Sequence, residues 1–200
     1  MNGVSRALIV GAGLLILPTL GMTQESGKQA KSELSYTYVQ VDFDSHDFDP
    51  PGPTGSTNGD GFTFSGAFQL KNNWHVYGAY GKEDLDFGIN LDTWTLGLGY
   101  SYSVKPNVDL YGRVLYIDAS ADYGANTTHD DGLGVQFRVR SRVNDKLEIE
   151  GGIQYLDLEH SDTALQASVR YYFTRSFSAG LGVTIGGDFD GLGINARYSF

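Results

Sequence analysis

Chemistry in this 200-residue chain would have to be built on four histidines, His46, His75, His129 and His160, because there is no cysteine. The missing thiol excludes a disulfide framework, Cys-based zinc clusters and thiol nucleophiles. A histidine-dependent hydrolase needs a nucleophile or a paired acid within reach of the imidazole. Two runs offer one: His129-Asp130-Asp131, and Asp157 and Glu159 beside His160-Ser161. Both fall on or beside segments that read as loops, and neither spacing matches an established catalytic pattern. Asp188 and Asp190 around Phe189 are a possible cation pair, but no EF-hand spacing is present. The expectation is a protein that is not an enzyme and holds no cofactor or metal.

A second set of ionisable residues recurs with period two. Asp109, Arg113, Arg138, Arg140, Arg142, Glu148, Glu150, Arg170 and Arg197 fall on one parity of their segments, with Gln136, Gln154, Gln166, Asn195, Tyr111 and Tyr172. Bulky apolar residues hold the opposite parity. Trp94, Leu96, Leu98, Tyr100, Tyr102 and Val104 alternate with Thr95, Gly97, Gly99, Ser101 and Ser103. Such alternation is the signature of β-strands with one apolar and one polar face.

About ten strands follow, near 34–44, 61–70, 74–83, 91–104, 108–118, 132–143, 147–159, 164–173, 177–186 and 191–200. Tight turns at 71–73, 105–107, 144–146 and 174–176 alternate with longer connections, the longest running from Ser45 to Asp60. Its three prolines stiffen the first half and its glycines loosen the second. A turn of odd length sets Arg142 opposite Glu148 and Arg140 opposite Glu150, a complementary pairing on the polar face.

The polar face carries the small residues, as the concave inside of a closed barrel would. Trp94 and Tyr102 bracket a stretch of roughly 20 Å, close to the roughly 25 Å apolar band and aromatic girdles of an outer-membrane barrel. Closure removes the strand edges that lipid cannot satisfy. The expected fold is therefore all-β, a closed antiparallel up-and-down transmembrane β-barrel with the apolar face outward. Both chain ends and the tight turns would lie on the periplasmic side, opposite a rim rich in aspartate.

Residues 1–23 read as a secretory signal peptide, with Arg6 ahead of an apolar run from Ala7 to Leu20 that is too short for a membrane helix. Residues 24–33 read as a flexible lead-in, and 34–200 as the barrel. The 24 acidic against 14 basic residues, a net charge of −10, argue against nucleic acid as a partner.

The segments "LSYTYV", "NNWHVYGAYG", "TWTLGLGYSYSV", "PNVDLYGRVLY" and "IQYLDLEH" resemble the small bacterial outer-membrane β-barrel superfamily of OmpA/OmpX-like proteins, in its xanthomonad-type branch. The resemblance spans about 34–200. It implies residence in the Gram-negative outer membrane, contact with membrane lipid and lipopolysaccharide, and no defined chemistry. The terminal "NARYSF" resembles the signal read by the barrel-assembly machinery, with Tyr198 and Phe200 as its key positions and Asn195 where many such signals have glycine.

Three functions remain open on these residues. The first is a structural or surface-interaction barrel whose lumen is filled by an Arg/Glu network, with exposed loops available to an extracellular ligand. The second is a narrow, porin-like, weakly anion-selective pore, and the third a hydrolase at the rim. Oligomeric state is open as well. If the C-terminus guides assembly, deleting Phe200 cuts the outer-membrane yield far more than deleting Asn58 in the first loop, as immunoblots of membrane fractions would report; equal yields contradict that role.

Overall fold

A strand with one greasy and one polar face is stable in a bilayer only if its backbone is fully paired and its polar face is hidden. The chain meets both demands by closing on itself. The computed structural model describes residues 30–48, 57–122, 124, 126–158, 161–186 and 189–200. The signal sequence, residues 24–29 of the lead-in, the tip of the first loop, Glu159, His160 and Asp188 lie outside the described residues.

Ten strands run in chain order: β1 Tyr38–Phe48, β2 Thr57–Gln69, β3 Trp74–Leu85, β4 Ile89–Lys105, β5 Val108–Asp122, β6 Thr127–Asn144, β7 Leu147–Asp157, β8 Ser161–Tyr172, β9 Phe177–Ile185 and β10 Phe189–Ser199. Each pairs antiparallel with its chain neighbours, and β1 pairs with β10 from Tyr38 opposite Ser199 to Phe48 opposite Phe189, which closes the barrel.

The apolar parity points outward. Leu96 and Phe137 are each 64% exposed, and Phe43, Phe64, Trp94, Val114, Leu165 and Ile194 share that outer face. Aromatic pairs mark its two margins. Tyr80 and Trp94 pack at 4.6 Å towards the loop end, while Tyr171–Phe173, Phe173–Phe177 and Tyr198–Phe200 pack at 5.2, 5.7 and 5.1 Å towards the turn end. Two such girdles flanking an apolar band fit the two interfaces of a bilayer.

Local chemistry explains the turns. Asn72 and Asn73 take left-handed backbone (φ 58° and 66°), a region asparagine tolerates better than most residues. Asn144 Oδ1 accepts from the backbone N–H of Lys146 and Leu147, and Thr174 Oγ1 does the same for Ser176 and Phe177. The turns β4–β5 and β6–β7 are each preceded by a register shift, between Ser103 and Lys105 and between Arg142 and Asn144.

Two expectations need correction. The first strand begins at Tyr38, not Leu34, because residues 34–37 leave the wall and turn into the barrel. Strands also reach further at the loop end than the hydrophobic alternation indicated. The 119–131 connection shrinks as β5 runs to Asp122 and β6 starts at Thr127, and Ser45–Phe48 and Thr57–Asp60 are paired strand. Beyond the lipid both faces of a hairpin are wet, so no alternation marks those rungs.

Inward glycines create the room that inward aromatic and cationic side chains fill. A Cβ on Gly99 would stand 2.3 Å from His75 Nε2 and 2.8 Å from Arg113 Cγ. Replacing Gly99 with valine would overpack this point at a cost of about 1–3 kcal/mol. Urea unfolding in lipid vesicles checks it; an unchanged midpoint would mean that the wall yields.

Candidate functional site: the lumen

All nine ionisable residues singled out on the polar parity face the lumen, and they cluster in its turn-end half. Glu148 is the hub. Its side chain is fully buried; Oε1 accepts from Arg140 Nε at 2.9 Å and from Arg170 Nη1 at 2.6 Å. Its Oε2 accepts from Arg140 Nη2 at 3.0 Å and from the Tyr172 hydroxyl at 2.9 Å. Arg142 Nη2 and Arg197 Nη1 stand further off, at 3.6 Å and 4.0 Å. One rung up, Glu150 Oε1 accepts from Arg138 Nη1 at 2.8 Å and from the Tyr111 hydroxyl at 2.7 Å. Arg138 also donates to Gln166, and Gln136 donates to Gln154.

The backbone register sets Arg140 opposite Glu150 and Arg142 opposite Glu148, as the turn length predicts. The close ion pairs, however, run on the diagonal, Arg140 to Glu148 and Arg138 to Glu150. Diagonal neighbours on one face lie within reach of long side chains. The bidentate fork of Arg140 on Glu148 is the strongest geometry available to such a pair.

The turn-end mouth is closed by residues missing from that set. Residues 30–37 run below β1 at the turn end with Leu34 and Tyr36 turned into the lumen, so the end of the lead-in is docked. Ser32 Oγ donates to Asp109 Oδ2 at 2.6 Å, and Glu33 N–H to the Pro106 carbonyl at 2.8 Å. Leu34 and Tyr36 are buried with Tyr111. The Tyr36 ring stacks on His75 at 4.8 Å and meets Tyr111 edge-on at 5.6 Å, beneath the Arg140 guanidinium at 5.3 Å. Arg140 Nη1 also donates to the Ser35 carbonyl at 2.8 Å.

His75 is the histidine that matters inside, and sequence reasoning gave it no role. Its place could have been found, since in Trp74-His75-Val76-Tyr77 it shares the inward parity with Tyr77. Its Nε2 accepts from Arg113 Nε at 3.0 Å. Arg113 Nη2 donates to the Tyr38 hydroxyl at 3.2 Å, and its guanidinium lies 4.4 Å over Tyr77 and 4.9 Å over Tyr111. Arg197 lies 4.0 Å over the Tyr38 ring.

Above this floor the lumen opens into a polar vestibule of about 240 Å³. Gln40, Asp42, Asp44 and His46 climb its β1 wall, beside Gly191 and Gly193 of β10 and Gly182 of β9. Asp42 accepts from Gln40 Nε2 at 2.7 and 2.9 Å, while Gln40 Oε1 accepts from Arg197 Nε at 2.6 Å and Arg170 Nη2 at 3.3 Å. At the mouth His46 faces Glu83 at 3.8 Å.

Other candidate residues lie elsewhere. His129 is exposed on β6, with Ser120 of β5 as its strand partner. Among the described residues no group of three or more histidine, aspartate or glutamate side chains could hold a metal ion. Tyr198 and Phe200 lie on the outer face at the turn end. The Phe200 N–H donates to the Thr37 carbonyl at 3.0 Å and its carbonyl accepts from Ser35 Oγ at 3.3 Å, so the terminus and the inward-turning segment hold each other.

Removing one partner from a buried charge cluster costs more than the cluster contributes, because the other charges stay behind unpaired. Glu148→Ala strands Arg140 and Arg170, and a loss of about 3–5 kcal/mol is expected from urea unfolding in vesicles. Arg142→Ala, at the wetter turn end, should cost under about 1 kcal/mol. Equal losses for the two variants would show that Glu148 is no hub.

The fold has counterparts of very different sequence among solved structures. The β domain of the Bordetella autotransporter BrkA superposes with a TM-score of 0.51 at 10% identity, over 82% of this chain and 98% of that one. Neisserial surface protein A gives 0.46 at 17% identity, over 83% and 98%. The KdgM porin gives 0.48 at 11% identity, over 80% and 99%. None of the curated proteins compared with the chain matches it. The family model of the outer membrane protein beta-barrel domain matches residues 12–200, almost the whole chain, and with its closed, lipid-facing ten-stranded wall the chain belongs to that family of the Gram-negative outer membrane.

Proposed function

We propose that this protein is a non-conducting, non-enzymatic outer-membrane barrel that serves as a rigid scaffold and presents its loop end to the cell exterior. One observation carries the reading: the periplasmic half of the lumen is filled. Arg140 is 1% exposed and Glu148 is fully buried, and Leu34, Tyr36, His75 and Asp109 are buried beside them. Ten strands leave little more than the space side chains fill, and here an ion-pair network along the adjacent strands β6, β7 and β8 and an inserted chain segment occupy it. The short turns lie at the periplasmic end, as is usual in this class.

The same reading assigns the outer rim a role in contact. Asp47, Asp60, Asp84, Asp86, Asp130 and Asp131 stand at the loop end, where cation-bridged contact with lipopolysaccharide is available. Tyr198 and Phe200 serve as the signal for the barrel-assembly machinery; their outward position at the last strand supports that role.

A second reading, a gated narrow pore, is favoured by one feature. Part of the seal is residues 30–37, which lie outside the strands and could withdraw, below a vestibule that is already open and polar. Planar-bilayer recording separates the two. The intact barrel is expected to give no stable single-channel steps, and the chain shortened to begin at Thr37 is expected to stay closed on the Arg140–Glu148–Arg170 network alone. Sizeable steps from the intact barrel overturn the non-conducting reading; steps only after shortening would identify a removable plug.

A further inference from the structure

Two charges of opposite sign face the vestibule without a counter-ion. Arg113 is buried and lines the cavity, yet among the described residues no carboxylate comes within 4.0 Å of it. Its partners are His75, the Tyr38 hydroxyl and two aromatic faces, which solvate a cation without neutralising it. Arg197 is little better served. Its nearest carboxylate is Glu148 at 4.0 Å, which already accepts closer bonds from Arg140, Arg170 and Tyr172. On the wall above, Asp42 lines the same cavity, and its carboxylate has only the Gln40 amide, with no basic group within 4.0 Å among the described residues.

Gln40 joins the two signs. Its carbonyl takes Arg197 and Arg170 while its amide nitrogen serves Asp42, so it links the cationic floor to the anionic wall. Buried charges are normally paired or solvated; Arg113 and Arg197 are buried without a close carboxylate of their own, and the half-buried Asp42 has only an amide partner. The strands beside β1 leave this wall room: Gly182 of β9 and Gly191 and Gly193 of β10 line the same cavity, and a Cβ on Gly193 would collide with Asp44 Oδ1.

We propose that the vestibule is a binding site for a small zwitterion, its oxyanion set on Arg113 and Arg197 and its ammonium against Asp42. A simple anion would meet the Arg113 charge but pass Asp42, Asp44 and the acidic rim against repulsion. A simple cation would leave the floor uncompensated. A molecule carrying both charges is neutral overall at the rim and complementary to the two signs inside. The volume of about 240 Å³, lined by polar groups, suits short side chains. Two sources share this chemistry, an amino acid or short peptide with free termini and a phosphoethanolamine head group.

Isothermal titration of the intact barrel in a non-ionic detergent tests it, since a zwitterionic detergent would compete. The probes are dialanine and glycerophosphoethanolamine, with N-acetyl-dialanine and dialanine amide as forms lacking one charge each. At least one zwitterion is expected to bind, and which of the two does so identifies the source. The N-acetyl and amide forms are expected to bind roughly tenfold or more weakly, the loss of one charge-assisted contact. Asp42→Asn should weaken the zwitterion by a similar factor and bind the N-acetyl form no more weakly than before, with heat-modifiability on gels confirming that the variant folds. No heat from either zwitterion at millimolar concentration, or equal binding of the N-acetyl form, overturns the proposal. If Asp42→Asn fails to fold, the four ligands on the unaltered chain decide alone. The proposal rests on the closed floor, which the conductance recordings judge without any ligand.

Discussion

Hydrocarbon offers a backbone no hydrogen-bond partner, and that constraint organises this molecule. A sheet that faces lipid must close, and β1 and β10 meet along their whole length to do so. Closure at ten strands then dictates a second condition. The interior is narrow, and the side chains that fill its turn-end half are too polar to collapse as an oily core. Whatever charge enters it must find its partner among the other side chains that line the lumen. The Glu148 hub is the consequence: a single carboxylate on β7 takes hydrogen bonds from residues on both neighbouring strands, β6 and β8, tying three adjacent strands together on the lumen side.

The outer and inner faces solve different problems with different residue types. Outside, apolar residues need no specific neighbour, and the aromatic margins locate the barrel in the bilayer. Inside, nearly every large side chain has a named partner, and glycine or serine stands wherever a neighbour is bulky. Gly99 makes room for His75 and Arg113, and Gly97 leaves space beside Leu115 and Tyr77. The polar parity therefore reads as Gly/Ser-rich along β4 because β3 and β5 bring the large groups there.

Much of this was legible in the alternation. Strand number, the outward face, the tight turns and the lumen position of Arg140 or Glu148 follow from parity and turn length, which are local properties. What escaped has physical reasons. The loop-end rungs carry no hydrophobic contrast, so Thr127–Asp131 looked like loop although it pairs with β5. Leu34 and Tyr36 continue the strand-like alternation of "LSYTYV", so nothing local distinguishes a strand in the wall from a segment turned into the lumen. The diagonal choice of Arg140 for Glu148 depends on side-chain reach between two neighbouring strands, which register alone does not decide.

The inserted segment also explains how an excess of arginine is tolerated. Arg140 is neutralised by Glu148, but it spends a further donor on the Ser35 carbonyl and lies against the Tyr36 ring. Arg113 gives its donors to His75 and Tyr38 and its faces to Tyr77 and Tyr111. Aromatic faces and carbonyls disperse cationic charge without adding anionic charge. Six arginines can thus share a lumen with few acids. Had the segment carried aspartate in place of Tyr36, the cluster around Arg140 would be closer to neutral, but the ring that stacks on His75 and meets Tyr111 would be lost.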